Sequence, residues 1–339
     1  MKITAIGLDL AKNVFQVHCV NEEGKVVQRK QIKRDKLAEF FVRLEPCLIG
    51  MEACGSAHFW ARKLQRMGHT VRLIAPQFVK PYVKTNKTDA ADAEAICEAV
   101  QRPNMRFVPI KSVEQQAILA VHRARQRFVK ERTAQGNQIR GLLAEFGIVI
   151  PLGLTSVIQR TPVLLEEAEE ELPAMFKDLI AELLLNLKEL DRMVQQLALV
   201  IQRWHTSCAE SQRLAEIPGI GPISATALVA SIGDVRNFKN GRQLAAWIGL
   251  VPKQHSTGGR QNLLGISKRG DTYLRTLLIH GARAVVRHAA SKVKDDWLHR
   301  LMGRRNANVV SVALANKNAR IVWALLTHGR EFQADYAAA

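Results

Sequence analysis

Apolar and polar residues alternate along positions 3–31 with the two-residue rhythm of half-buried strands. The runs are Ile3-Thr4-Ala5-Ile6-Gly7-Leu8-Asp9-Leu10, then Val14-Phe15-Gln16-Val17-His18-Cys19 and, after the turn Asn21-Glu22-Glu23-Gly24, Lys25-Val26-Val27-Gln28. This pattern predicts a three-stranded meander. A helical stretch over 35–44 follows, then a short buried strand Cys47-Leu48-Ile49-Gly50-Met51-Glu52, a helix over 56–68 and a strand Thr70-Val71-Arg72-Leu73-Ile74. Ala90–Val100, rich in Ala and Glu, predicts another helix. Three antiparallel strands followed by alternating helix and strand predict an α/β domain of the ribonuclease-H-like kind over residues 1–110. Such a fold does not by itself assign a function.

Beyond residue 110 the rhythm becomes helical. Residues 112–146 predict one long basic helix carrying Arg123, Arg125, Arg127, Lys130, Arg132 and Arg140, stopped by Gly147 and Pro151. A second long helix spans 174–206. Its apolar positions Leu183, Leu187, Leu190, Val194, Leu197, Ile201 and Trp204 alternate spacings of four and three, a coiled-coil seam. The partner for that seam is either the basic helix folding back or a second protomer. The expected organisation is an α/β domain over 1–110, a helical coiled-coil region over 111–213 and a mostly α C-terminal domain over 214–333. The tail Ala334–Ala339 is expected to fray.

Composition narrows the class. Hydrophobic residues make up 47% of the 339, enough for real cores, and no apolar run reaches the roughly 18–20 residues of a membrane span. Met1-Lys2-Ile3-Thr4 leads straight into a strand pattern rather than a signal peptide. The five cysteines, Cys19, Cys47, Cys54, Cys97 and Cys208, are odd in number and form no CxxC pair, which argues for a reducing cytoplasm rather than a disulfide scaffold.

Lys and Arg number 49 against 31 Asp and Glu, a net charge of +18. The excess is +7 over 1–110, zero over 111–215 and +11 over 216–339. Nucleic acid is the expected partner, ahead of any anionic membrane surface. The acidic run Glu166–Glu171 reads as a solvated helix start.

Three constellations carry chemistry. The first is four carboxylates of the α/β domain. Asp9 sits inside an apolar strand, Glu52 ends another, and Asp89 and Asp92 are three apart in Lys87-Thr88-Asp89-Ala90-Ala91-Asp92. A carboxylate in an apolar strand is costly unless paired or metal-bound. Asp89 alone is explained as a helix cap, and Glu52 alone as a strand end. Together, in this strand order, the four predict an all-oxygen site for Mg2+ or Mn2+, suited to phosphoryl transfer. The second is Ile217-Pro218-Gly219-Ile220-Gly221-Pro222 before an Ala-rich helix, the pattern of a helix-hairpin-helix. There Gly219 and Gly221 let backbone N–H groups approach a DNA phosphate. An ordinary helix–helix turn is the bland alternative.

The third runs from Trp247 to Arg275 and includes Gln254-His255-Ser256-Thr257-Gly258-Gly259-Arg260 and Gly265-Ile266-Ser267-Lys268-Arg269-Gly270-Asp271. It reads as a phosphate-binding loop region in which Lys268, Arg269 and Arg275 hold DNA phosphates. Ser256 is as suited to contact DNA as to attack it, and His255 reads as a surface histidine.

With these residues in hand, the sequence resembles the DEDD transposases of bacterial insertion sequences, of the IS-one-ten and IS-eleven-eleven type. The resemblance rests on Gly7-Leu8-Asp9, Met51-Glu52-Ala53, Lys87-Thr88-Asp89-Ala90-Ala91-Asp92-Ala93, Ile217-Pro218-Gly219-Ile220-Gly221, and Gly249-Leu250-Val251-Pro252 through Ile266-Ser267-Lys268-Arg269-Gly270-Asp271, in that order over nearly the whole chain. It implies a RuvC-like N-terminal domain and a C-terminal transposase domain joined by a coiled coil. It implies that Asp9, Glu52, Asp89 and Asp92 are the catalytic, metal-binding tetrad and that Ser256 is the nucleophile forming a phosphoserine link to DNA. It further implies a structured noncoding guide RNA that pairs with donor and target DNA. Composite sites and paired strand cuts suggest a dimer or tetramer, acting on the nucleoid in a bacterial cytoplasm. Two rivals remain: a Holliday-junction nuclease using metal-activated water without the serine, and a non-catalytic helix-hairpin-helix DNA-binding protein.

Overall fold

The computed structural model describes residues 2–84, 88–168, 170–292 and 296–333. Lys87, Glu169 and the tail Ala334–Ala339 lie outside them. The described chain divides into two units, Met1–Val113 and Glu114–Ala339.

The first unit is built on a six-stranded mixed sheet. Its strands are β1 (Ala5–Asp9), β2 (Val14–Val20), β3 (Val26–Lys33), β4 (Leu48–Glu52), β5 (Thr70–Ile74) and β6 (Phe107–Val108), in the spatial order β3-β2-β1-β4-β5-β6. The meander expected from the alternation pairs antiparallel, and β1–β4 and β4–β5 pair parallel. The two-residue β6 closes the edge antiparallel to β5. Helices α1 (Leu37–Val42), α2 (Ala57–Arg66), α3 (Pro76–Val79) and α4 (Asp89–Val100) complete the unit. On one face the alternate residues Ile6, Leu8, Phe15, Val17, Ile49 and Met51 pack with Phe41 and Trp60 of α1 and α2. Helix α4 lies on the other face.

The second unit is mostly helical. Its first part holds α5 (Val113–Ala144), α6 (Leu154–Glu167) and α7 (Ala174–Ser207). Helix α6 was not expected. The Glu166–Glu171 run, expected at a helix start, instead has Glu166 and Glu167 in the last turn of α6, with Ala168 as its C-cap. The helix starts earlier, at the Gly153 break, and tolerates Pro162 in its interior, so the acids fall at its far end.

Four of the seven expected seam positions of α7 (Leu183, Leu190, Leu197 and Trp204) are half-buried, while Leu187, Val194 and Ile201 are buried. Their partners lie within the chain: Leu184 and Leu187 cluster with Ile139 and Leu143 of α5 and Val157 of α6. Ile201 packs against Ile118 at the other end of α5, and the Arg132 guanidinium donates to Asp191 at 2.5 Å. The two long helices therefore run antiparallel.

The second part holds α8 (Ala209–Ala215), α9 (Pro222–Ile232), α10 (Gly241–Ile248), α11 (Thr272–Lys292), α12 (Asp296–Met302) and α13 (Ala307–His328), with a two-stranded hairpin, β7 (Pro252–Thr257) and β8 (Arg260–Ile266). Helix α13 is long and apolar enough to cross a membrane by composition alone. Its buried residues Val310, Leu314, Ala315, Ala319 and Val322 belong to the core shared with α9, α10 and α11.

One polar group is set deep in this unit. His122 of α5 is 1% exposed, bonded through Nδ1 to the Tyr273 hydroxyl and through Nε2 to Thr226 Oγ1, each at 3.0 Å. Burial, and secondarily the nearby Arg125 charge, pushes its pKa down from 6.5 to about 4. A base with a depressed folded pKa adds stability that is complete above 6.5 and is lost as pH falls toward 4. The loss amounts to about 3 kcal/mol. We predict that His122→Gln removes about that much of the difference in unfolding free energy between pH 7 and pH 4. Parallel curves for the two proteins in urea titrations across this range would refute it.

Candidate metal centre and nucleic-acid contacts

Two glycines determine how the carboxylates of the first unit meet. Gly7 of β1 and Gly50 of β4 are register partners on neighbouring parallel strands. A Cβ on Gly7 would stand 2.0 Å from the Ala93 carbonyl oxygen of α4, and one on Gly50 would stand 2.7 Å from Val100 Cβ. Both strands therefore press α4 directly against bare backbone. Side chains two apart on a strand share a face. Asp9 and Glu52, each two residues after its glycine, are thus directed to the α4 side at the carboxyl ends of adjacent strands.

Helix α4 begins at the same end. Thr88 is its N-cap, its Oγ1 accepting from Ala91 N–H at 3.2 Å. The capping role that would have explained Asp89 is therefore taken by Thr88. Asp89 and Asp92 stand in the first turn, where the helix dipole favours anions. One oxygen each of Asp9, Asp89 and Asp92 lies within 4.8 Å of the others, the only such group of potential ligands among the described residues. Burial, then the charges of Asp92, Asp89 and Glu52, raises the Asp9 pKa from 3.8 to about 6. Asp9, Asp89 and Asp92 thus converge on one point, with Glu52 near enough for its charge to act on Asp9, and the donors are all oxygen. Their separations suit metal–oxygen bonds of about 2.0–2.6 Å to a shared hard cation. The Asp residues were legible in the sequence; Gly7 and Gly50, which bring them together, were not singled out.

A methyl group at Gly7 has no space to enter, because the obstruction is helix backbone rather than a flexible side chain. Gly7→Ala should cost at least about 3 kcal/mol and weaken Mn2+ binding at the cluster. Urea denaturation and Mn2+ titration would check it; an unaltered midpoint with unaltered Mn2+ affinity would remove α4 docking from the account.

In the second unit, Ser256 lies on the hairpin, which is exposed on both faces. Gly258 and Gly259, at φ +54° and +77°, form its two-residue tip, a conformation glycine adopts without strain. Ser256 pairs with Gln261, and its Oγ accepts from Gln254 Nε2 at 2.7 Å. His255, one residue away, points to the opposite face, as expected of adjacent strand residues.

The second strand of the hairpin, β8, leads into a tightly held loop. A Cβ on Gly249 would lie 1.9 Å from the Arg269 carbonyl oxygen, and one on Gly270 would lie 1.9 Å from that of Trp247. Ser267 N–H and Lys268 N–H donate to Val251 and Gly249 carbonyls, and Lys268 holds a left-handed φ of +54°. Lys268 and Arg269 are exposed on this loop, as their expected role requires. Arg275 differs from the expectation. It is 8% exposed, and its guanidinium donates to the carbonyls of Ile248 at 3.0 Å and Arg269 at 3.4 Å and to Thr272 Oγ1 at 3.1 Å. Its donors satisfy buried acceptors of the loop, so it braces the loop from beneath instead of meeting phosphate.

The two glycines of the Pro218–Pro222 turn also divide. Gly219, at φ +88°, packs on the α11 backbone: a Cβ would meet the Gly281 carbonyl oxygen at 2.8 Å. The Asn318 amide donates to the Pro218 carbonyl at 2.9 Å. Gly219 is thus a packing residue. Gly221 is the N-cap of α9, exposed and with nothing within 4 Å of where a Cβ would stand.

Comparison with known proteins finds matches in both units. A family profile described as "Transposase" matches residues 6–148, and one described as "Transposase IS116/IS110/IS902 family" matches residues 211–298. A protein of Pseudomonas aeruginosa named "Probable family 20 transposase" is 57% identical over 96% of this chain and 98% of its own. The transposase for insertion sequence element IS1111A of Coxiella burnetii is 44% identical over 98% and 92%, respectively. That for IS1328 of Yersinia enterocolitica is 42% identical over 97% and 98%.

Proposed function

The chain belongs to the IS110/IS116 family of insertion-sequence transposases, enzymes that cut and rejoin DNA, and from that premise we propose that it does so with a DEDD carboxylate site and a serine nucleophile. The family implies a divalent metal. The observation that carries the proposal is the convergence of Asp9, Asp89 and Asp92 on one point with Glu52 close enough to raise the Asp9 pKa. In this reading Asp9, Glu52, Asp89 and Asp92 hold Mg2+ or Mn2+. When bound, the cation neutralises charge on the scissile phosphate and lowers the cost of developing oxyanions there.

The protein's own groups perform the rest. The exposed hairpin presents the Ser256 hydroxyl; its Oγ bonds to the phosphorus as the P–O bond to the departing strand breaks, and the serine proton passes through solvent water to the departing oxygen, which leaves as a free hydroxyl end. The hydroxyl of the exchanged strand then attacks the serine ester, rejoining the DNA and restoring Ser256. A serine hydroxyl is a weak nucleophile at its ordinary pKa, so the step depends on deprotonation assisted at the carboxylate site. Lys268, Arg269 and the exposed Gly221 end of α9 hold phosphates away from the scissile bond. The α8–turn–α9 segment supports a helix-hairpin-helix reading, and the strand order of the first unit supports a RuvC-like one.

The proposal extends to partners. A structured noncoding RNA from the same element guides donor and target DNA, and the protein reads backbone and shape. The enzyme works as a dimer or tetramer in which one protomer's serine serves another's carboxylates, assembled through a surface other than the α7 seam, whose partners lie within the chain. The enzyme acts on the bacterial nucleoid in the cytoplasm, consistent with the +18 charge. The test is recombination of donor and target plasmids by purified protein, with and without RNA transcribed from the element's noncoding flank. The expected result is joined product only with RNA, protein and Mg2+ together. Equal product without RNA would remove guidance from the reading.

A further inference from the structure

Helices α5, α9 and α11 meet at a polar chain whose every proton can be followed. The Thr226 hydroxyl donates to the Pro222 carbonyl at 2.7 Å, one turn back on α9. Its proton is thereby committed, so Thr226 Oγ1 accepts from His122 Nε2–H at 3.0 Å. His122 Nδ1 then carries the lone pair and accepts from the Tyr273 hydroxyl at 3.0 Å. The Arg125 guanidinium stands beside that hydroxyl. His122 and Thr226 are 1% and 0% exposed, so neither exchanges its partner for water without opening the core.

The ends of this chain are the elements assigned to phosphate above. Pro222 is the first residue of α9, next to the exposed Gly221 N-cap. Tyr273 is in the first turn of α11, and its backbone N–H donates at 2.7 Å to Asp271, which directly follows Lys268-Arg269-Gly270. We propose that His122 is a positioning residue, a neutral imidazole that fixes the N-terminus of α9 and the Lys268–Arg269 loop relative to each other on the basic helix α5, so that both meet one DNA backbone together. Without it, each element would remain folded but would have to be ordered anew on binding, and the coupling would be lost. The inference rests on the reading of α9 and the loop as phosphate contacts.

The test uses the full-length protein, a random-sequence duplex oligonucleotide and fluorescence anisotropy at several salt concentrations. Tyr273→Phe and Thr226→Val should each weaken binding about three- to tenfold, whereas Thr226→Ser, which keeps the hydroxyl, should restore it. The double variant should lose little more than either single one, because both act through one imidazole. The slope of log affinity against log salt should fall by about one phosphate contact. In 15N NMR of histidine-labelled protein, the resonance missing from His122→Gln should be that of the neutral Nε2–H tautomer at pH 7.

A lowered melting temperature with unchanged affinity and slope would make the chain merely structural and overturn the proposal. So would an Nδ1–H tautomer. If Lys268→Ala with Arg269→Ala leaves the slope unchanged, the phosphate reading fails and the coupling fails with it. If that pair lowers the slope while Tyr273→Phe does not, the coupling alone fails.

Discussion

Asp9→Asn is expected to abolish strand cleavage and at the same time to raise the melting temperature of the metal-free protein. The two effects have one cause. Asp9 is half-buried at the end of β1, facing Asp92, Asp89 and Glu52, and its pKa is raised from 3.8 to about 6 by burial first and those charges second. A carboxylate with a raised folded pKa destabilises the fold once it is ionised, with the full effect above pH 6. Because Asp9 is only about half-buried, solvent screening reduces the displacement to about 1–2 kcal/mol at neutral pH. The amide keeps the shape and removes the charge, so the metal-free variant gains stability of that order. Several kcal/mol of transition-state stabilisation depend on the same charge, which converts to a loss of roughly 10³-fold or more in rate. Mn2+ should raise the melting temperature of the native protein much more than that of the variant. A variant that cleaves at the native rate, or that melts lower without metal, would sink the assignment of Asp9.

Ser256→Ala is expected to eliminate cleavage and every covalent protein–DNA species while leaving the melting temperature within about 1 °C. Exposed surface substitutions away from packing usually change stability by less than about 0.5 kcal/mol, and Ser256 lies on a hairpin exposed along both strands. Its hydroxyl accepts from Gln254, and that bond is itself at the surface. Thr257→Ala and Ser267→Ala should retain the covalent species, because neither hydroxyl has the assigned role. If the Holliday-junction nuclease reading held, Ser256→Ala would cut DNA at the native rate through water, with no adduct in either protein. If the chain were only a DNA-binding protein, neither Asp9→Asn nor Ser256→Ala would alter any DNA product.

What was legible in the sequence depended on burial. Strands β1, β2 and β4 are short apolar runs in a sheet covered by helices on both faces, so they showed through as strands, and Asp9 stood out as a charge within such a run. The hairpin β7–β8 buries neither face. Its residues from Pro252 to Gly265 are all exposed, so no alternation marked it, and the segment read only as a loop around a Thr-Gly-Gly turn. Helix α6 was hidden by Pro162 and by the acids at its end, which suggested a beginning rather than a finish. Arg275 shows the limit of reading charge from composition: an arginine in a basic motif looks like a phosphate ligand until its donors are found on the carbonyls of Ile248 and Arg269. The glycine contacts of Gly7 with α4 and of Gly219 with Gly281 were equally invisible. A close approach is a property of two segments far apart in the chain, and one sequence shows each glycine without its partner.

The most direct test of the account is to trap the reaction midway and find which side chain carries the DNA. Native protein, guide RNA, Mg2+ and a donor duplex lacking the hydroxyl needed for rejoining should accumulate an adduct stable to denaturing electrophoresis. Protease and nuclease digestion followed by mass spectrometry should place the residual nucleotide on Ser256, with none formed by Asp9→Asn. A nucleotide on Thr257, Ser267 or any other residue, or cleaved DNA with no adduct at all, would contradict it.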